Sequence, residues 1–354
     1  MLLGRTAVAV FVPGVAFLVL WRGFLFLRDV EAPGLITVLL SILWGVGGIA
    51  MLFWVANWLV EKLPTNWVRR LQPFVFVGPA LAILAWFLAI PTLRTLIASF
   101  QNTTSSKFVG LNNYQFAFTD RTMLTTFRNN LLWVVFATLF SVGLGLMIAA
   151  LADRSRFERT AKALVFLPMA ISFVGAGVIW NFVYEARTAG ERQIGLLNAL
   201  WVGGGGEPQA WTALNQPWNN FFLILIVIWL QTGFAMVLLS AAIKGVPAEL
   251  VEAARVDGAS ELTTFRRVVI PSIWPTIITV GTTVVIFSLK IFDVVWVMTG
   301  GQFGTDVIAT QFFRQFFIAN DNGRGSAIAI VLLVAVIPVM VYNLRQLRQR
   351  ESFR

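Results

Sequence analysis

The sequence predicts an all-α membrane protein of about eight transmembrane helices. Composition carries the first half of that prediction. Of 354 residues, 58% are hydrophobic and 12% charged, and the mean hydropathy is +0.78. A soluble domain carries about 25% charged residues, so most of this chain has no use for water. Patterning carries the other half. Apolar runs of roughly 20 residues, enough to cross hydrocarbon as a helix, alternate with polar connections.

The runs lie near residues 6–27, 35–60, 72–97, 129–152, 161–184, 219–243, 273–298 and 325–344. The first follows Arg5 and looks like a signal sequence. It lacks a small-x-small cleavage site and continues through Trp21 and Arg22, so it reads as an uncleaved span. Basic residues then recur in alternate connections. Lys62, Arg69 and Arg70 follow the second span, and Arg154, Arg156, Arg159 and Lys162 the fourth. Lys244, Arg255, Arg266 and Arg267 follow the sixth, and Arg345, Arg348, Arg350 and Arg354 the last. The positive-inside rule assigns this face, with both termini, to the cytoplasm. Arg94, Lys107, Arg121 and Arg128 run against the pattern, diluted on the outer side by Asp29, Glu31, Asp120, Glu185, Glu191, Glu207, Asp306 and Asp321.

The formal charge of +10 fits basic loops facing anionic lipid better than a nucleic-acid partner in so apolar a chain. With no His and no Cys, imidazole acid–base chemistry, thiolate nucleophiles, disulfides and the usual zinc or iron–sulfur ligand sets are excluded. The glycine run at 203–206 has no Lys-Ser/Thr after it, and no GxxxxGK[ST] phosphate loop occurs elsewhere. The chain is therefore not expected to hydrolyse ATP.

One connection is written as structure. Between the sixth and seventh spans, Pro247 suits the first position of a short helix, and Glu249 and Glu252 favour its positive end. Leu250, Ala254 and Gly258 recur at i+4, and Glu252 faces Arg255 at i+3. Gly258 suits a left-handed C-terminal turn, Ser260 a cap for a second helix bearing Phe265, Val268 and Val269, and Pro271 a stop. The product is a small knob at the membrane surface. An amphipathic loop lying on headgroups is the plain alternative, but its carboxylates suit an anionic surface poorly.

The knob also carries a resemblance. Glu252-Ala253-Ala254, Asp257-Gly258-Ala259, Phe265, Ile270-Pro271 and Pro275 resemble the EAA loop of binding-protein-dependent ABC importer permeases, within a coupling loop at 246–275. Phe108 to Tyr114 is similar to the outer-loop FVGLxNY of the carbohydrate branch, and Phe166-Leu167-Pro168 opens the fifth span as that branch does. Trp229 with Gly233, and Phe292-Asp293 followed by Thr299-Gly300-Gly301, match further segments, although Gln302 stands where the family usually has Pro. The GGQFGTDVIA stretch and the extra N-terminal hairpin look most like alpha-glucoside permeases, and the extra N-terminal helices are similar in number to those of the larger maltose permease. The resemblance implies a six-helix core at 66–354 preceded by an extra hairpin at 1–65.

It further implies a non-catalytic subunit of a bacterial or archaeal inner-membrane sugar importer. Its partners would be a second permease subunit, two ATP-binding subunits that hold ATP and Mg, and an extracytoplasmic sugar-binding protein. No cofactor and no nucleic acid would bind this chain. Glu249, Glu252, Ala253, Ala254, Asp257, Gly258 and Ala259 would contact the ATPase. By segment position, Trp229, Gln231, Phe234, Met169, Ser288, Leu289 and Asp293 would line the path of an oligosaccharide or alpha-glucoside. Aromatic faces pack on sugar C–H surfaces, and amides and hydroxyls bond sugar hydroxyls. Lys290 and Asp293, at i+3 in the seventh span, read either as a structural pair near the helix end or as pathway residues. A secondary transporter or channel without an ATPase is the second reading. It calls for inverted repeats and intramembrane carboxylates, of which Asp293 is the one candidate. A membrane-embedded enzyme acting on lipid-linked substrates is the third, and lacks the His or carboxylate cluster it needs.

Overall fold

A computed structural model describes residues 2–29, 34–153 and 155–351, without side chains at 2–11 and 347–351. Glu31, Arg154 and Arg354, used above for orientation, lie outside the described residues. The fold is all-helical, in two compact units at 1–94 and 95–354.

The first unit holds α1 (Leu2–Asp29), α2 (Gly34–Glu61) and most of α3 (Thr65–Ala98). Glycine permits close packing of α1 on α2. A Cβ at Gly23 would fall 2.0 Å from the Trp44 indole, and one at Gly48 would fall 2.8 Å from Leu20. Phe53 stacks on Phe76 at 6.0 Å between α2 and α3. Few other side chains are covered, and α3 has no buried residue in its apolar window. Helices apolar all round and uncovered suit hydrocarbon rather than water.

The second unit runs through α4 (Asn112–Thr119), α5 (Arg121–Ala152), α6 (Glu158–Ala170), α7 (Phe173–Tyr184), α8 (Leu196–Gly203) and α9 (Trp218–Lys244). It continues with α10 (Ala248–Val256), α11 (Glu261–Leu289), α12 (Asp293–Thr299), α13 (Ile308–Phe313) and α14 (Asn322–Glu351). The central helix is α9. Of its apolar window 61% is buried, against 22% for α5, α11 and α14. Trp133 and Ala137 of α5, Ala176 of α7 and Val294 of α12 pack with it in one cluster, and Ala149 and Val280 with it in another.

Among the described residues, six continuous helices have the length and apolarity of spans, and a seventh is a bent pair. The expected first span also forms a continuous helix, α1. Two expected spans are not straight. The fifth bends by 104° between α6 and α7. Leu167–Ala170 tightens to a 3₁₀ turn around Pro168, and the Ser172 hydroxyl accepts from the Gly175 N–H to start α7 afresh. The seventh breaks at Lys290, whose N–H closes on Phe287, before α12 starts at Asp293. Lys290 and Asp293 therefore do not share a helix, and the i+3 pair does not form.

Pro271 does not stop its helix either. A π-turn at Phe265–Val269 runs into the helix from Ile270 to Leu289 with Pro271 in the first turn. In the wider ring the Ile270 N–H bonds the Phe265 carbonyl, and the helix runs on through the proline. The same device precedes Pro91, where a π-turn covers Ala85–Ala89.

Candidate functional site

The knob is α10 and the first turn of α11. Pro247 is the residue before the helix rather than its first member, and Glu249 occupies the first turn. Gly258 takes φ +78. Its N–H bonds the Arg255 carbonyl at 3.0 Å, and the Ala259 N–H reaches back to the Ala254 carbonyl at 2.9 Å. That six-to-one bond closes a Schellman turn. The Ser260 hydroxyl accepts from the Thr263 N–H at 3.3 Å and caps α11. Arg255 does not pair with Glu252. It reaches across the turn to Glu261 at 3.0 Å, both side chains being exposed.

Glu249, Glu252, Ala253, Asp257 and Gly258 are exposed, and Ala254 and Ala259 are half-buried. Beside them stand apolar side chains that composition alone does not single out. Val256 is 87% exposed, Leu262 58% and Leu250 48%. These apolar side chains stand on a tied turn with carboxylates around them.

The pathway candidates divide. Gln231 and Phe234 of α9 and Met169 of the 3₁₀ turn come together around a cavity of about 190 Å³. Ile171, Phe173, Leu230, Thr283 and Phe287 complete its lining. Sequence reasoning missed these five. The available signal was Pro168 followed by Ser172, which breaks the fifth span and turns Ile171 and Phe173 inward. No ionisable group lines the cavity. Gln231 is 6% exposed, and its side chain makes no hydrogen bond among the described residues. Thr283 spends its hydroxyl proton on the Thr279 carbonyl at 2.9 Å.

The other candidates lie apart from that cavity. Trp229 packs edge-on against Trp180 at 5.8 Å, in the cluster around α7. Ser288 is fully buried, with its hydroxyl unpartnered. Leu289 gives its carbonyl to the Asn130 amide at 3.2 Å. Asp293 sits in the first turn of α12.

A second polar construction went unread in the sequence. Buried Asp306 accepts from Gln311 at 2.8 Å and from Thr310 at 3.0 Å, and faces Arg314 at 3.3 Å. The Asn129 amide donates to the Gly304 and Asp306 carbonyls, and Asn219 to that of Phe303. These side chains clamp the 300–306 loop, with its left-handed Gly300, Gly301, Phe303 and Gly304, onto α5 and α9.

Comparison with known proteins agrees with this geometry. Residues 141–350 match the family model described as binding-protein-dependent transport system inner membrane component. The osmoprotective compounds uptake permease protein GgtC of Synechocystis sp. is 54% identical over 79% of this chain and 100% of its own length. The alpha-glucoside transport system permease protein AglF of Rhizobium meliloti is 44% identical over 90% of this chain and 98% of its own. In fold, the chain resembles a bacterial ABC transporter involved in import of the acidic polysaccharide alginate. That likeness has a TM-score of 0.68 at 20% identity, over 79% of this chain and 96% of that one. The secondary-transporter reading falls away with these matches. The chain belongs to the binding-protein-dependent transport system inner membrane components, as the non-catalytic, multi-pass permease subunit of an ABC importer.

Proposed function

We propose that this permease forms the membrane path for a small uncharged glucoside and is driven by a separate ATPase seated on the 246–275 loop. The observation that carries the reading is the cavity of about 190 Å³ shared by Met169, Gln231 and Phe234. Its volume suits a single sugar ring, its aromatic walls suit sugar C–H faces, and the unspent Gln231 amide suits vicinal hydroxyls. A carboxylate there would lose its hydration with no cation to meet it. The names of the two relatives, one for alpha-glucosides and one for osmoprotective compounds, support a substrate of maltose, trehalose, sucrose or smaller type.

In this reading the knob faces the cytoplasm, with both termini, in the inner membrane. Glu249, Glu252, Ala253, Ala254, Asp257, Gly258 and Ala259, together with exposed Val256, seat in a groove of one of two ATP-binding subunits. A second permease subunit completes the path, and an external binding protein delivers the sugar. The 1–65 hairpin is an addition to the six-helix core. ATP binding and hydrolysis favour different knob positions, and only such differential contact shifts the path between outward and inward openings.

Reconstitution of the whole complex in vesicles tests the reading. Uptake of a labelled alpha-glucoside should require internal ATP and the external binding protein. Uptake driven by an ion gradient without ATP, or an ATPase that purifies free of the permease, overturns it.

A further inference from the structure

The junction of α5, α6 and α9 holds a group of charges that neither the cavity nor the knob uses. Lys162 of α6 donates to Asp153 at the end of α5, to Glu158 at 2.6 Å one turn before it, and to the Ser240 hydroxyl of α9. An ammonium has three protons, so its capacity is met in full. Ser240 in turn donates to Asp153 at 2.8 Å. Lys244, the last residue of α9, donates to Glu158. The side chains of Asp153 and Lys162 are 11% and 18% exposed. The group is neutral as a set, two cations against two carboxylates.

Its place in the chain matters more than its charge. Lys244 stands at the root of the knob, and α10 starts at Ala248. Glu158 and Lys162 stand at the start of α6, and that helix ends in the turn bearing Met169 of the cavity. The far end of α6 also touches α9. A Cβ on Gly233 would fall 2.5 Å from the Val165 carbonyl oxygen and 2.9 Å from the Phe166 Cα. Helix α6 is thus fixed to α9 at both ends, by ions near the knob and by backbone contact near the cavity. Headgroups alone would not need three helices to share one ammonium.

We propose that the Asp153–Glu158–Lys162–Ser240–Lys244 cluster is the joint that carries knob movement into the broken fifth span and so to the cavity wall. Lys162, Glu158 and Lys244 act as positioning residues for transport, touching neither substrate nor nucleotide. The inference rests on the reading of the knob as the ATPase contact.

The test uses the full complex in vesicles and reads substrate moved per ATP hydrolysed. Lys162→Met should leave an assembled complex that hydrolyses ATP but moves at least tenfold less substrate per ATP, while Lys162→Arg keeps most of the ratio. An unchanged ratio in Lys162→Met overturns the joint. Because Lys162→Met removes a well-covered cation and could prevent folding, a second experiment uses the more exposed pair. The chain has no Cys, so Glu158→Cys with Lys244→Cys introduces the only thiols of this subunit. Each single variant should lower the ratio, and a short bismaleimide bridge across the double variant should restore it. Transport abolished by the bridge would mean that α6 and α9 must separate, which overturns a rigid joint. Single variants with an unchanged ratio overturn it as well. Loss of ATPase from the purified complex would instead count against the knob reading, so the two failures are separable.

Discussion

Gly233 of α9 lies against the backbone of Val165, so closely that a Cβ at 233 would sit 2.5 Å from the Val165 carbonyl oxygen. The obstacle is backbone, which cannot swing aside as a side-chain tip can. Gly233→Ala should therefore force α6 and α9 apart, at the roughly 1–3 kcal/mol typical of overpacking. Gly281→Ala is the matched control, since a Cβ there meets only the Thr138 methyl at 3.9 Å. In that helix alanine should gain up to about 1 kcal/mol from backbone entropy alone. Heat-induced unfolding in detergent checks both, with the midpoint falling for the first variant and steady or rising for the second.

Gly258 presents the opposite case. Nothing lies within 4 Å of a Cβ there, yet φ is +78. Any penalty is conformational rather than steric, about 1–2 kcal/mol for an L-residue in the left-handed region. Gly258→Val should reshape the turn between α10 and α11, leaving the subunits assembled but ATP hydrolysis uncoupled from uptake. Gly258→Asn, which tolerates that region, should stay close to the parent. Equal uptake and ATPase rates in the parent and the valine variant would show that the turn is not required.

Much of this was legible in the sequence, for physical reasons that also mark where legibility stops. Hydrophobic runs report solvent, so the apolar segments were readable but not all their helix ends: the seventh, expected at 273–298, runs from Glu261 to Leu289. The Gly258 turn and the Ser260 cap were readable because each is set by one residue's local backbone preference. Charge partners were not. Arg255 has Glu252 one turn away and Glu261 across the turn, and only the angle between helices decides that it takes Glu261. Pro271 misled, because a π-turn upstream leads the helix straight into it. At Pro168 the expected continuous fifth span breaks, and without that break the cavity has no Met169 wall. The Asn129, Asn219 and Asp306 clamp joins positions far apart in the chain, and no local pattern reveals it.

That clamp makes its own prediction. Asp306 is 8% exposed and bonded by Gln311 and Thr310 while facing Arg314. Arg314 is 37% exposed, so water screens part of the pair and the full cost of a broken buried ion pair does not apply. Asp306→Ala leaves the buried Gln311 amide unmet, at about 1–3 kcal/mol, while the Thr310 hydroxyl keeps the Val307 carbonyl at 2.8 Å. The 300–306 loop should loosen, read as faster proteolysis of that loop and a lower unfolding midpoint, with Asp306→Asn intermediate. Equal protease resistance in the parent and Asp306→Ala would remove the loop's dependence on this carboxylate.

Gln231 supplies the sharpest test of the cavity. The residue is 6% exposed, and its amide, unspent among the described residues, opens on the cavity. Leucine is close to glutamine in volume and removes only the hydrogen-bonding groups. Gln231→Leu should therefore unfold at the same or a higher temperature than the parent. If the cavity receives a sugar hydroxyl, the same change removes about 0.5–1.5 kcal/mol of binding, a rise of roughly two- to tenfold in the substrate concentration for half-maximal uptake. Binding-protein-stimulated ATP hydrolysis should persist, because the knob and its cluster are untouched. A variant both more stable and weaker for substrate identifies Gln231 as a contact kept for the cargo. If it is more stable with uptake unaltered, the sugar passes elsewhere, and Trp229 beside Trp180 becomes the next position to change.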